Sequence, residues 1–193
     1  VMETFPAWND AGDRLYYCAA DSLSDVSRNR GQVHYRLMSI DFDGLSFAGE
    51  PEVVWECPDA SVSFPRINGK WLLFTRSDYG TFPIWHKEAD LWLVNLETGE
   101  IFPAAELNSD DTESYHSWSS NGKWLVFSSR REDGRYTRLY FSHFDGDGGF
   151  TKPFLLPQKQ ARFNSLRLKS YNIPEFVRGE VPDRQKEIKQ LFD

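Results

Sequence analysis

Trp118-Ser119-Ser120-Asn121-Gly122-Lys123-Trp124-Leu125-Val126-Phe127-Ser128-Ser129 decides the fold, because the same pattern returns twice elsewhere in the chain. Asn68-Gly69-Lys70 precedes Trp71-Leu72-Leu73-Phe74-Thr75-Arg76-Ser77, and Asp10-Ala11-Gly12-Asp13 precedes Arg14-Leu15-Tyr16-Tyr17-Cys18-Ala19-Ala20. A recurring segment is one supersecondary unit that cannot bury its apolar face alone and must stack on its neighbours. The turn glycines Gly12, Gly69 and Gly122 stand 57 and then 53 positions apart. That spacing is too long for leucine-rich or helical-hairpin repeats and lies near the long end of the ~40 to 50 residues of a four-stranded blade.

Further strands follow in the same register. Second apolar runs end in turns at Arg36–Gly44, Asp90–Gly99 and Arg138–Gly146, and third runs stand at Val53–Trp55, Ile101–Pro103 and Phe154–Leu156. Short segments at Phe5–Trp8, Val62–Pro65 and Tyr115–Trp118 precede the glycine turns. Four short strands per unit is the count of a β-propeller blade. Leu72-Leu73-Phe74 and Leu125-Val126-Phe127 are apolar on both faces of a period-2 strand, as expected of a middle strand covered on both sides. Asn68-Gly69, Asn121-Gly122, Asp43-Gly44 and Asp145-Gly146 read as two-residue hairpin turns. The expected fold is all-β: three four-stranded antiparallel propeller blades at 1–59, 60–112 and 113–158. A C-terminal tail at 159–193 carries a short helix over Pro182–Phe192 and packs on the propeller.

The motif Trp-Ser-x-Asn-Gly-Lys-Trp-Leu-x-Phe-x-Ser of residues 118–129 resembles the TolB-type β-propeller repeat. The second unit keeps Asn68-Gly69-Lys70-Trp71-Leu72 and Phe74, with Pro65 where the first tryptophan is expected. The first unit keeps Trp8, Gly12 and Leu15, with Tyr17 replacing the phenylalanine. The resemblance covers residues 3–157 and implies a bacterial, periplasmic or otherwise extracytoplasmic setting. It is weakly informative about function, because such repeats occur in translocation proteins, in the gating propellers of peptidases and in polysaccharide lyases. Three units are fewer than the roughly four to eight blades that close a ring. The chain therefore reads as the C-terminal part of a longer propeller, or as one that pairs with a second copy through open blade faces.

With 29 acidic and 22 basic residues the net charge is −7, which argues against a nucleic-acid partner. Cys18 and Cys57 sit two strand spacings apart in the expected blade, about 9 to 10 Å, beyond the roughly 7 Å a disulfide tolerates, so two free thiols are expected. The four histidines fit no compact metal motif. Asp145-Gly146-Asp147-Gly148-Gly149 lacks the ligands of a calcium loop, and no nucleophile elbow, phosphate loop or paired-cysteine site appears. No catalytic residue, cofactor or metal is expected in this chain.

Candidate binding groups fall in three places. His116 and Tyr115 lie on the innermost strand of the third blade, where side chains can face a central channel. Arg130, Arg131, Arg135, Tyr136 and Arg138, with Arg76 at the matching place in the second blade, combine planar donors with aromatic area. They read either as a paired hairpin loop or as a site for an anionic peptide or glycan. The insertion Ser77–Ala89 presents Tyr79, Phe82, Pro83, Ile84, Trp85 and His86, either packed over the propeller or facing a partner. The first blade's insertion, Asp21–Gly31, reads as a polar, mobile loop. In the tail, Leu166, Leu168, Tyr171, Ile173 and Phe176 are candidate anchors. The expected role is a non-catalytic binding or scaffold module with a protein or peptide partner, a glycan being the second ligand class. The alternative is an accessory propeller of a larger peptidase or lyase with its chemistry elsewhere.

Overall fold

The computed structural model describes residues 1–22, 30–160, 162–180 and 182–191. Residues 23–29 of the first-blade insertion, expected to be mobile, lie outside the described residues, as do Phe192 and Asp193. Three four-stranded antiparallel sheets, each a simple meander, form three blades. Blade 1 holds β1 (Met2–Trp8), β2 (Arg14–Ala20), β3 (Arg36–Phe42) and β4 (Phe47–Trp55). Blade 2 holds β5 (Ser61–Asn68), β6 (Trp71–Ser77), β7 (Asp90–Asn95) and β8 (Ile101–Pro103). Blade 3 holds β9 (Glu113–Trp118), β10 (Trp124–Ser129), β11 (Arg138–His143) and β12 (Phe154–Leu155). The tail carries α1 (Phe163–Leu166) and α2 (Gln185–Gln190), the latter opened by Asp183 accepting from the Gln185 backbone N–H at 3.0 Å.

Two cores lie between the blades. The rear face of blade 1 (Tyr16, Cys18, Leu37) meets the front face of blade 2 (Leu72, Phe74, Val94). The rear face of blade 2 (Trp71, Leu73, Leu91, Leu93) meets the front of blade 3 (Leu125, Phe127, Tyr140, Phe144). The middle strand of blade 2 is therefore buried on both sides, as its sequence predicts. Each fully buried large apolar side chain contributes about 1.5 to 3 kcal/mol, so the blades hold one another together. Polar clamps add to this: Asn68 Nδ2 donates to the Gly122 carbonyl at 2.8 Å, Trp71 Nε1 to that of Gly146 at 2.9 Å, and the Gly69 N–H to Asp10 Oδ2 at 3.0 Å.

The turns differ from expectation. Asn68 pairs with Trp71 across Gly69-Lys70, a true two-residue hairpin with Gly69 at φ +58°. The loops at 9–13, 43–46, 119–123 and 145–149 are longer. Because the blade 2 turn is shorter, counting back from its glycine misaligns the inner strand by two positions. Leu15, Leu72 and Leu125 face Trp8, Ile67 and Trp118. Ile67, and not Pro65, stands at the tryptophan position.

Each inner strand carries the same bulge. Phe5, Phe64 and Tyr115 have φ of 53°, 53° and 45°, and the pairing register shifts at all three. Bulky residues rarely adopt this left-handed conformation. Here their rings form a column across the blades, Phe5 to Phe64 at 4.1 Å and Phe64 to Tyr115 at 4.9 Å.

The tail crosses the rear of blade 3. Thr137 Oγ1 donates to the Tyr171 carbonyl, Ser128 Oγ to that of Asn172 at 3.0 Å, and Phe176 packs edge-on against Phe141 at 5.9 Å. Tyr171 and Phe176 are engaged, whereas Leu166 and Leu168 face outward and anchor nothing. The tail is held by the Tyr171 and Asn172 carbonyls together with Phe176, not by Leu166 or Leu168.

Cys18 and Cys57 are free, with Leu37 of β3 paired between Cys18 and Trp55. Among the described residues no helix is long and apolar enough to cross a membrane.

A Cβ at Gly148 would lie 2.9 Å from the Trp71 ring, and its φ is +98°. Gly148→Ala is expected to destabilise the blade 2–blade 3 contact by about 1 to 3 kcal/mol, read as a lowered midpoint in urea with unchanged m-value.

Candidate functional site

Three arginines of the third blade, Arg130, Arg131 and Arg138, are committed to structure. Glu113 is fully buried and accepts from Ser109 Oγ at 2.7 Å, Ser129 Oγ at 2.7 Å and Arg131 at 2.9 Å. Burial raises the Glu113 carboxyl above its ordinary range, while the two hydroxyls and the guanidinium act in the opposite sense. Arg131 also donates to the Leu107 carbonyl and lies over the Tyr140 ring at 4.6 Å. Arg130 pairs with Asp111 at 3.0 Å. Arg138, 1% exposed, donates to the carbonyls of Lys169 at 3.1 Å and Arg167 at 2.8 Å and stacks on Tyr136. Arg76 of blade 2 stands opposite Asp90 in the register of β6 and β7. Arg135 is exposed at a turn closed by Asp133, which accepts from the Arg135 and Tyr136 backbone N–H groups at 2.8 Å each. Within this cluster the guanidinium groups of Arg130, Arg131 and Arg138 are paired inside the fold, while the Arg135 side chain is exposed.

His116 does not line a channel. It is buried between blades 2 and 3, where Nε2–H donates to the Leu73 carbonyl at 3.0 Å. Following the positive-φ residue of its strand, it matches Pro6 and Pro65 in the other blades. Burial pushes it from the ordinary 6.5 down to about 3, so the ring is neutral. Tyr115 beside it is buried in the aromatic column.

At the third candidate place two aromatic rings, Phe82 and Trp85, stay exposed. The segment after β6 turns back at Gly80, whose N–H donates to the Val33 carbonyl at 2.8 Å. Buried Ser61 fastens the two segments: its Oγ donates to the Gly80 carbonyl at 2.6 Å and accepts from the Tyr35 N–H at 3.0 Å. A short 3₁₀ turn, Pro83–Trp85, follows. It is pinned from blade 3 by Thr112 Oγ1, which contacts the carbonyls of Pro83 at 3.1 Å and His86. The result is a cleft of about 600 Å³ between blades 1 and 2, walled by Tyr35, Tyr79, Phe82 and Trp85. Phe82 and Trp85 are 65% and 78% exposed.

His86 supplies the polar end of the cleft. It is buried against the edge of Tyr79 at 4.4 Å, and Nδ1 bonds Glu88 at 2.7 Å. Burial pushes the Glu88 carboxyl up, but hydrogen bonds from its own backbone, the His86 ring and the Asp78 backbone outweigh this and lower it below the ordinary range. The Glu88 carboxylate accepts from Nδ1 and so orients the ring at the end of the cleft. The aromatic insertion is visible in sequence. The contribution of Val33 and Tyr35 is not, since it arises where one blade's loop meets the next.

Among the described residues no group of three His, Cys, Asp or Glu side chains is placed to hold a metal ion. Neither a protein-family model nor a curated protein matches the sequence. Among solved structures the chain is similar to an oligogalacturonate lyase in complex with manganese, with a TM-score of 0.55 at 15% identity over 79% of this chain. It is also similar to an acylaminoacyl peptidase of Pyrococcus horikoshii, with a TM-score of 0.49 at 16% identity over 81% of this chain. The chain spans 41% of the lyase's length and 25% of the peptidase's. The first of these likenesses supports the β-propeller architecture.

Two outcomes follow. Arg131→Ala strands the buried Glu113 carboxylate and is expected to cost about 3 to 5 kcal/mol; Glu113→Gln in the same background should recover part of that in a urea melt. For His116 the folded state binds fewer protons than the unfolded state between about pH 3 and 6.5, so stability rises with pH through that window and levels off above it. His116→Gln should remove a slope of about 1.4 kcal/mol per pH unit there, seen by comparing urea midpoints of the two proteins across the window.

Proposed function

We propose that the chain is a TolB-like β-propeller segment that serves as a non-catalytic recognition module, binding a protein or peptide partner in the cleft of Tyr35, Tyr79, Phe82 and Trp85. The observation that carries this reading is the exposure of Phe82 and Trp85 on a segment whose backbone is fastened to the loop of blade 1 by the Gly80 N–H on the Val33 carbonyl and to Thr112 at the entry to β9. Large aromatics held rigidly at a surface lose little freedom on binding, and Trp and Tyr are favoured anchors of interfaces. The TolB-type motif of residues 118–129 goes with a bacterial envelope setting, and the net charge of −7 goes with a partner other than nucleic acid.

The second reading is an accessory propeller of a larger lyase or peptidase. It is favoured by the likeness to the oligogalacturonate lyase, of which this chain spans less than half. Catalytic groups would then lie outside these residues.

Peptides selected for binding from a random display library test the first reading. Trp85→Ala should weaken selected peptides by about 30-fold, as loss of a hot-spot anchor of ~2 kcal/mol does; Leu45→Ala, an exposed residue elsewhere, should leave them unchanged. Binders indifferent to Trp85, or turnover of peptide or pectic substrates by this chain, would overturn it.

A further inference from the structure

The cleft walled by Tyr35, Tyr79, Phe82 and Trp85 selects for charge as well as for apolar surface. Aromatic faces carry partial negative charge, and a cation set against them is attracted by the ring quadrupole. Val33 is the one aliphatic residue of the described lining and is only 5% exposed, so a ligand there meets rings rather than aliphatic side chains.

The fixed charge beside these rings is negative. At the His86 end, Glu88 accepts from the His86 ring at 2.7 Å and from the Asp78 backbone N–H at 3.3 Å, with 38% of its side chain still exposed. Those bonds hold its carboxyl below the ordinary range, so it is ionised at neutral pH. Asp78, next to Tyr79 in the chain, is exposed as well. Among the described residues the lining holds no lysine or arginine, and Lys87, the only such base of Ser77–Ala89, is exposed and stands outside it. Lysines do line a different cleft: at the opposite end of β6, Lys70 and Lys123 join Asp145 around a space of about 420 Å³ between blades 2 and 3.

An anionic group in the aromatic cleft would meet ring faces and Glu88 with no positive partner, and an aliphatic group would make no use of the charge. A lysine or arginine gains from both, its stem packing on the rings while its head group meets their faces and the nearby carboxylate. We propose, resting on the reading of this cleft as a peptide site, that the partner presents a basic side chain there, a lysine or arginine set against Tyr79, Phe82 and Trp85 with Glu88 as its counter-charge.

Peptides selected on the whole chain from a random display library should be enriched in lysine or arginine. In synthetic copies, replacing the enriched base by norleucine, which keeps an apolar stem and drops the charge, should weaken binding about ten-fold. Glu88→Gln, whose amide oxygen can still accept from His86, should weaken the basic peptide about five-fold and the norleucine peptide markedly less. Peptides that depend on Trp85 yet carry no base, or that bind as well with norleucine, would overturn this inference while leaving the cleft a peptide site. Peptides indifferent to Trp85, or a library that yields no binder, would overturn both. Equal losses of the two peptides on Glu88→Gln would overturn the role given to Glu88.

Discussion

A middle strand that is apolar on both faces is stable only when sheets lie on both sides of it, and the rest of the structure follows from that constraint. Leu72 and Phe74 point forward, Trp71 and Leu73 point back, and all four are buried. No blade carries its own core; the two cores lie between blades. The tail covers the middle of the rear face of blade 3 through Thr137, Ser128 and Phe141, and Trp124, the counterpart of buried Trp71, stays 37% exposed where the tail does not reach.

The same constraint explains where polar groups are committed. Burying Glu113 beside a blade interface requires it to be paired, since an isolated carboxylate in an apolar surround is costly. Arg131, Ser109 and Ser129 meet that requirement. An arginine-rich loop in an acidic chain has the composition of an anion site, yet the guanidinium groups of Arg130, Arg131 and Arg138 are spent on neighbouring carboxylates and carbonyls. The aromatic insertion of blade 2 is different: its backbone is tied down by Ser61 and Thr112 while its rings stay out. Recognition surfaces combine a fixed backbone with exposed rings, and a packed core does not.

Much of the fold was legible in particular residues. The returning Gly-Lys-Trp-Leu pattern located the middle strands, and the spacing of Cys18 and Cys57 implied free thiols. The inner strand of blade 2 was misread because separation from Gly69 measures chain length, whereas pairing is set by turn geometry. A turn shorter than its counterparts moved Ile67 into the tryptophan position and hid the match of His116 with Pro65. Leu166 and Leu168 misled for a related reason: apolar residues suggest anchoring, but here the Tyr171 and Asn172 carbonyls together with Phe176 hold the tail.

The sequence by itself determined the repeat, the four-stranded unit and the two-sided burial of its middle strands, because period-2 patterning and turn residues are local properties. Tertiary structure alone decided which polar groups are consumed and which aromatics stay free. Arg131 and Arg138 read as ligand groups until Glu113 and the tail carbonyls are seen beside them. The cleft of Tyr35, Tyr79, Phe82 and Trp85 exists because two blades are laid side by side, and no local pattern encodes what a neighbouring loop brings within reach.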